Sequence, residues 1–270
     1  MEILGYTAAL VIGLSLGLIG GGGSILTVPV LVYLLGLSPV LSTAYSLFIV
    51  GSTSLVGAYK FYKKGLVSLK TALVFGLPSM AAVYVTRRFI VPAIPDSLFT
   101  VSGMLITKDI MLMLLFAGLM VFASISMIRK ECESCGQEDS TTLPSSQKFN
   151  YAGILGEGLV VGTLTGLVGA GGGFLIIPAL VLFSKLDMKL AVGTSLLIIA
   201  AKSLFGFLGD VSNYPIDWMF LLSFSALSVV GIFIGSYLSA RIQANKLKTS
   251  FGWFVLVMGL YIMGKEIFFP

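Results

Sequence analysis

Apolar residues in this chain come in long runs, not in the alternating or one-sided patterns of soluble strands and helices. A helix crossing a bilayer needs about 20 apolar residues at 1.5 Å rise each. Six runs have near that length: 40–58, 66–86, 110–128, 190–209, 217–240 and 250–268. Two more, 3–37 and 151–183, are too long for one simple crossing. Glycines interrupt both: Gly20, Gly21, Gly22 and Gly23 in the first, and Gly169, Gly171, Gly172 and Gly173 around Ala170 in the second. Each glycine costs a helix about 1 kcal/mol against alanine. Each long run is therefore expected to be two short helices joined by an unwound turn.

Polar residues concentrate between these runs. The segment 129–147 carries Arg129, Lys130, Glu131, Glu133, Glu138 and Asp139 with Ser, Thr and Pro, and reads as a solvated linker. The segment 89–109, with Pro92 and Pro95, reads as a more apolar loop lying in the interface. The N-terminus has no basic stretch ahead of its long apolar run, so the first run is expected to be an uncleaved membrane segment.

Composition sharpens this picture. Charged residues make up 11% of the 270 positions and the hydrophobic set 57%, where a soluble domain is about 25% charged. The expectation is an all-α integral membrane protein. There is no His, which excludes Ser-His-Asp and Cys-His catalysis and His-ligated haem or zinc. No paired carboxylates or nucleophile–base pair occur within the spans, so an intramembrane enzyme is not expected. The glycine runs lack the phosphate-binding Gly-x-x-x-x-Gly-Lys-Ser/Thr spacing. No cofactor is called for, and any pumping must use an ion or substrate gradient. The net charge of +5 fits a positive-inside bias better than nucleic-acid binding. The pair Cys132 and Cys135 falls in the linker. It supplies two of the four ligands a zinc ion wants, and a redox pair, a shared metal site and plain solvated thiols all stay open.

The chain also repeats itself. Shifted by 149 positions, residues 17–57 match 166–206 at 17 of 41 sites without a gap. The glycine blocks coincide, Pro29 falls on Pro178, Ser46 on Ser195, Ser54 on Ser203 and Gly57 on Gly206. This predicts two membrane repeats, 1–128 and 150–270, joined by a linker over 129–149. Each repeat would be a glycine-broken helical hairpin followed by about three transmembrane helices. If each hairpin returns to its starting face, the second repeat is inverted. Lys60, Lys63, Lys64, Arg129, Lys130, Lys148, Lys185, Lys189, Arg241, Lys246 and Lys248 then share one, cytoplasmic, face of the inner membrane. Arg87, Arg88, Lys108, Lys265, Asp96, Asp109, Asp210 and Asp217 are left on the other.

The stretch Gly-Leu-Ile-Gly-Gly-Gly-Gly-Ser-Ile-Leu-Thr-Val-Pro (17–29), its echo at 166–178, and Ala-Val-Gly-Thr-Ser-Leu (191–196) resemble the signature of the TauE/SafE family. The resemblance covers both halves. It implies a permease associated with export of sulfite and organosulfur anions. The first half departs from the pattern at Thr43-Ala44-Tyr45-Ser46, opposite Val192-Gly193-Thr194-Ser195.

Glycine-broken helices inside lipid leave backbone N–H groups that an anion can approach. The helix starts expected after them, at Ser24-Ile25-Leu26 and Phe174-Leu175-Ile176, carry about half a positive charge each. Close helix packing through small residues is the competing reading. Hydroxyls follow each break: Thr43, Ser46, Ser52, Thr53 and Ser54 in one half, Thr194, Ser195 and Ser203 in the other. Lys202 lies deep in an apolar run, and such a charge faces a cavity or a partner. Its alternatives are snorkelling to the interface or pairing with Asp210. The expected substrate site comprises Gly20, Gly21, Gly22, Gly23, Ser24, Ser46, Thr53, Gly169, Gly171, Gly172, Gly173, Thr194, Ser195 and Lys202. Glu157, between Gly156 and Gly158, is a candidate for proton coupling or a headgroup contact. The expected partners are a small anion and the bilayer, with a homo-oligomer left open and no nucleic acid. A passive anion channel, or a sensor or scaffold working through the linker, are the competing functions.

Overall fold

The computed structural model describes residues 2–95, 97–101, 104–129, 151–182, 186, 188–239 and 244–268. The linker with Cys132 and Cys135 lies outside the described residues. The described chain is almost wholly helical. In the first half, α1 (Glu2–Ile19) leads into a 3-10 turn over Gly20–Leu26. Then come α2 (Thr27–Pro29), a π-helical turn Val30–Leu34, α3 (Pro39–Lys63) and α4 (Leu69–Val85). A π-helical turn Thr86–Ile90, α5 (Val91–Ala93), a hairpin of β1 (Ser97–Val101) and β2 (Met104–Thr107), and α6 (Lys108–Arg129) complete it. In the second half, α7 (Tyr151–Val168) and α8 (Gly173–Leu182) flank the second glycine block. They are followed by α9 (Met188–Val211), α10 (Trp218–Ser239) and α11 (Ala244–Phe268).

The six expected crossings all fall in helices, α3, α4, α6, α9, α10 and α11. Five spans are long and apolar enough to cross a bilayer: Pro39–Lys63, Leu69–Ala93, Lys108–Ile125, Leu190–Val211 and Trp218–Leu238. The outside of the bundle agrees. Met219 is 81% exposed, Phe122 68% and Val257 62%, a surface suited to hydrocarbon and not to water. The protein is multi-pass.

Two expectations are corrected. The segment 89–109 is not a loop. It holds the end of a helix and an antiparallel hairpin in which Val101 pairs with Met104. Pro95 stands where the helix has ended. The first glycine block is not an unwound turn. It winds as a 3-10 helix that runs through Ser24, Ile25 and Leu26, so no new helix begins at Ser24. Four small residues followed by Ser can close i→i+3 turns without side-chain eclipsing, the usual obstacle to a long 3-10 run.

Lipid supplies no hydrophobic force between helices, so close backbone approach does the packing. Helices α1 and α10 run side by side in the same direction, Gly13 against Ser228 and Gly17 against Ile232 and Gly235. A Cβ on Gly17 would stand 2.6 Å from the amide nitrogen of Ser236. The repeat-equivalent pair, α7 and α4, does the same. Gly158 meets Phe75, Gly162 meets Ser79 and Ala82, and Gly166 meets Thr86. Helices α3 and α9, also repeat mates, cross antiparallel. Leu47 meets Gly206, Gly51 meets Leu204, and Gly57 meets Leu196. As one number rises the other falls, and the pairing is centred at the level of Thr53 and Lys202. Helices α6 and α11 pack together at Gly259 against Met120 and Val121.

The two ends of the bundle are fastened across the halves. At one, the Asp217 amide donates to Tyr45 Oη at 2.8 Å. Tyr45 also stacks on Phe220, so this departure from the repeat pattern holds α3 to α10. At the other, the Ser68 amide donates to Thr194 Oγ1 at 2.9 Å.

Candidate functional site

The second glycine block is a true break. Gly169, Gly171 and Gly172 have φ of 71°, 64° and 68°, a left-handed region that costs other residues about 1–2 kcal/mol. The amide of Gly169 still closes α7 onto the Thr165 carbonyl at 2.8 Å. The amides of Leu175 and Ile176 reach back to the Gly172 carbonyl, both at 3.0 Å, and open α8. In the first block Gly20 shares this conformation, with φ of 71°.

The two blocks meet in the middle of the bundle. Helix α8 packs on the 3-10 turn, and a Cβ on Gly171 would stand 3.4 Å from Ser24 Cβ and 2.6 Å from Val50 Cγ1. Ser24 is fully buried.

Lys202 is 1% exposed. Its Nζ donates to Thr165 Oγ1 at 2.8 Å, and a Cβ on Gly172 would stand 2.8 Å from that nitrogen. The ammonium therefore touches the bare backbone of the second break. Of the two alternatives for Lys202, neither is seen: it does not reach the surface, and Asp210 pairs elsewhere.

That partner is Arg87. Both side chains are fully buried, with Arg87 Nη1 3.4 Å from Asp210 Oδ2. Nη1 also donates to Thr43 Oγ1 at 2.9 Å, and the guanidinium lies directly against Gly169. Arg87 Nε and Nη2 and both Asp210 oxygens have no hydrogen-bond partner among the described residues. The expectation that Arg87 and Asp210 decorate an outer face is thus corrected. A π turn at Thr86–Ile90 rotates Arg87 inward, and π turns recur at functional sites. Gly209 leaves room for it, since a Cβ there would be 3.1 Å from Arg87 Cβ.

Comparison with known proteins identifies the scaffold. The family model described as Sulfite exporter TauE/SafE matches residues 6–262. The chain belongs to the TauE/SafE family. It is 29% identical over 259 residues to a "Probable membrane transporter protein" of Xylella fastidiosa strain 9a5c, covering 94% of this chain and 92% of that one. It is 26% identical to the "Probable membrane transporter protein YunE" of Bacillus subtilis strain 168, covering 98% of both. A third relative, MJ0441 of Methanocaldococcus jannaschii, also named a "Probable membrane transporter protein", is 32% identical over 39% of this chain and 42% of its own. No solved structure matches. The protein is a membrane transporter of the TauE/SafE family.

Within this TauE/SafE transporter the sequence-expected residues sort by position. Gly171, Gly172, Ser24 and Lys202 come together at the second break, with Gly169 and the buried Gly173 at its two edges. Gly20 faces Val192 instead, at 2.6 Å from a built Cβ to Cγ1. Gly21, Gly22 and Gly23 lie in the 3-10 turn. Thr53 is level with Lys202, and its hydroxyl bonds back to the Ile49 carbonyl at 2.6 Å. Ser46, Ser54 and Ser203 are fully buried with hydroxyls that have no partner among the described residues. Ser52 bonds to the Ile49 carbonyl at 3.1 Å. Thr194 and Ser195 are not brought to the break. Thr194 is occupied by Ser68, and Ser195 donates to the Val192 carbonyl at 2.8 Å. Glu157 sits on α7 about 12 Å before Thr165 at 1.5 Å per residue. Its Oε2 is buried without a hydrogen-bond partner among the described residues. No three His, Cys, Asp or Glu side chains gather as a metal site among the described residues.

Sequence reasoning missed Arg87, Asp210 and Thr165. The signal for the first two was available. Arg87 and Arg88 are followed by Phe89, Ile90 and Val91, so the charge lies inside an apolar run and not at its end. Asp210 sits at the close of another such run.

Proposed function

We propose that this protein is a secondary carrier for a small anion, sulfite or another sulfur-containing or organosulfonate anion, moved outward across the cytoplasmic membrane by alternating access. One observation carries the reading: a fully buried Lys202 ammonium held by Thr165 against the opened backbone of the second glycine block. A buried charge inside a membrane bundle marks an ion or substrate pathway. Sulfite and sulfonate oxygens accept hydrogen bonds, and Lys202 Nζ is a donor aimed at the opened backbone.

Inverted repeats are supported by the antiparallel crossing of α3 and α9, since repeat mates running in opposite directions relate the halves by an axis in the membrane plane. That axis passes at the level of Lys202. The orientation rests on charge. With Arg87 and Asp210 removed to the interior, the face shared by Lys60, Lys63 and Lys64 is the basic one, and it is cytoplasmic. Lys265 then falls on the opposite face, where it lies 4.0 Å above the ring of Tyr33, whose hydroxyl donates to Glu266 at 2.7 Å.

The test is counterflow in proteoliposomes with sulfite, sulfate, thiosulfate and methanesulfonate. Saturable exchange of a sulfur oxyanion is expected. Single-channel currents would replace the carrier with a pore, and absence of saturable anion movement would overturn the reading.

A further inference from the structure

Two buried cations flank one glycine break, and the proposed carrier site uses only Lys202. Arg87 has five N–H donors, of which one nitrogen, Nη1, is engaged, by Thr43 at 2.9 Å and by Asp210 at 3.4 Å. The Nε–Nη2 edge is unpaired among the described residues, and so are both carboxylate oxygens of Asp210 as hydrogen-bond acceptors. A structural arginine clamp is bidentate, with N–O distances of about 2.7–2.9 Å. A buried pair that leaves so many groups unsatisfied is a poor stabiliser, because each desolvated group must be compensated. Its position is also specific. Nη2 lies against Gly169, with no side chain between the guanidinium and the break.

The arrangement is built once. The repeat mates of Thr43, Arg87 and Asp210 are Val192, Ser236 and Phe61, and Gly20, the mate of Gly169, faces Val192. The symmetric scaffold does not demand this charge pair.

We propose that Arg87 is a second anion-binding residue of the transporter, with two oxygens of the oxyanion taking its free Nε–Nη2 edge, and that Asp210, at Nη1, is its resident counter-ion, whose charge weakens the pull of the guanidinium on the anion. The proposal rests on the anion-carrier reading and extends its path from Lys202, at the level of the repeat axis, toward the end of the bundle where α3 begins. The planar fork of the guanidinium matches an atom bearing two or more oxygens, which sulfite and sulfonates share. Asp210 competes for the same cation, so its charge keeps Arg87 held when no anion is there.

The experiment is binding of sulfite and of methanesulfonate to the full-length protein in nanodiscs, by calorimetry, with thermal unfolding recorded for every variant. Asp210→Asn removes the competitor and should tighten binding by about tenfold, equivalent to about 1.4 kcal/mol. Arg87→Lys keeps the charge and loses the fork, and should weaken binding by a similar factor. Asp210→Asn that binds at wild-type strength or more weakly overturns the proposal, as does Arg87→Lys with wild-type affinity. If Asp210→Asn does not fold, Arg87→Lys, which keeps the ion pair, decides alone. Lys202→Met separates the two ideas. Loss of anion binding there, with wild-type binding in both Arg87→Lys and Asp210→Asn, upholds the carrier site and removes Arg87 from it. A wild-type protein that binds neither anion overturns the carrier reading itself.

Discussion

Replacing Lys202 by Met tests the carrier site with little structural disturbance. The side chains have similar length, and the lysine makes one hydrogen bond, to Thr165 Oγ1 at 2.8 Å. Thr165 is not orphaned by the change, because its hydroxyl also donates to the Gly162 carbonyl at 3.2 Å. A lysine at the centre of a membrane helix costs about 2.5–3.5 kcal/mol on insertion scales. Removing the charge should therefore leave the melting temperature unchanged or raise it. The functional loss is set by Coulomb attraction. For an anion about 4 Å from the ammonium at an effective dielectric constant near 20, the interaction is about 4 kcal/mol. At about 1.4 kcal/mol per decade, that is close to a thousandfold in affinity. Sulfite counterflow in proteoliposomes at fixed external concentration should fall to background. Thr53→Val is the control at the same level of the bundle. Its hydroxyl is already spent on the Ile49 carbonyl at 2.6 Å, so flux should stay within a few-fold of wild type. Lys202→Met protein that folds and transports at the wild-type rate would refute the assignment.

Four further outcomes are expected. Gly171→Ala places a side chain at φ of 64° and within 2.6 Å of Val50, and should destabilise by more than the ~1–2 kcal/mol of backbone strain alone. Gly264→Ala, in open space on α11, should be neutral or stabilising by about 0.5–1 kcal/mol, and paired thermal melts compare the two. Glu157→Gln should abolish any dependence of uptake on an imposed pH gradient while leaving counterflow intact; unchanged gradient dependence removes Glu157 from coupling. Deleting 131–147 should preserve transport, and its loss in a folded protein would favour a signalling role for the linker.

The architecture was legible because membrane helices announce themselves by length and apolarity, properties of contiguous residues. The repeat was legible for a similar reason, since Gly17, Pro29, Ser46, Ser54 and Gly57 keep their spacing in the second half. What eluded the sequence depends on residues far apart in the chain. Arg87 reads as one of two arginines at a helix end until a π turn and the glycines at 169 and 209 admit it to the interior. Thr194 and Ser195 sit inside the repeated motif, yet one fastens the loop at Ser68 and the other bonds to its own helix. Thr194 and its mate Tyr45 each make a joint, one at each end of the bundle, and Ser195 takes no part in it.

Duplication and function therefore part company in this protein. The elements that pack by small residues come in mirrored pairs, with Gly13 and Ser228 matched by Gly162 and Ser79. The charges do not. Lys202 answers to Thr53, Arg87 to Ser236 and Asp210 to Phe61. Under the proposed alternating access, two halves related by a two-fold rotation could trade conformations at little cost, because packing given up in one half has an equivalent formed in the other. Two buried cations on an axis-related pair of sites would repel each other across a low-dielectric interior. Hydroxyl or apolar side chains at the mates avoid doubling each cation, and Asp210 offsets the charge of Arg87 beside the same break. The first block is wound and packed on Val192, and the second, with its left-handed glycines, is the one where the proposed site lies.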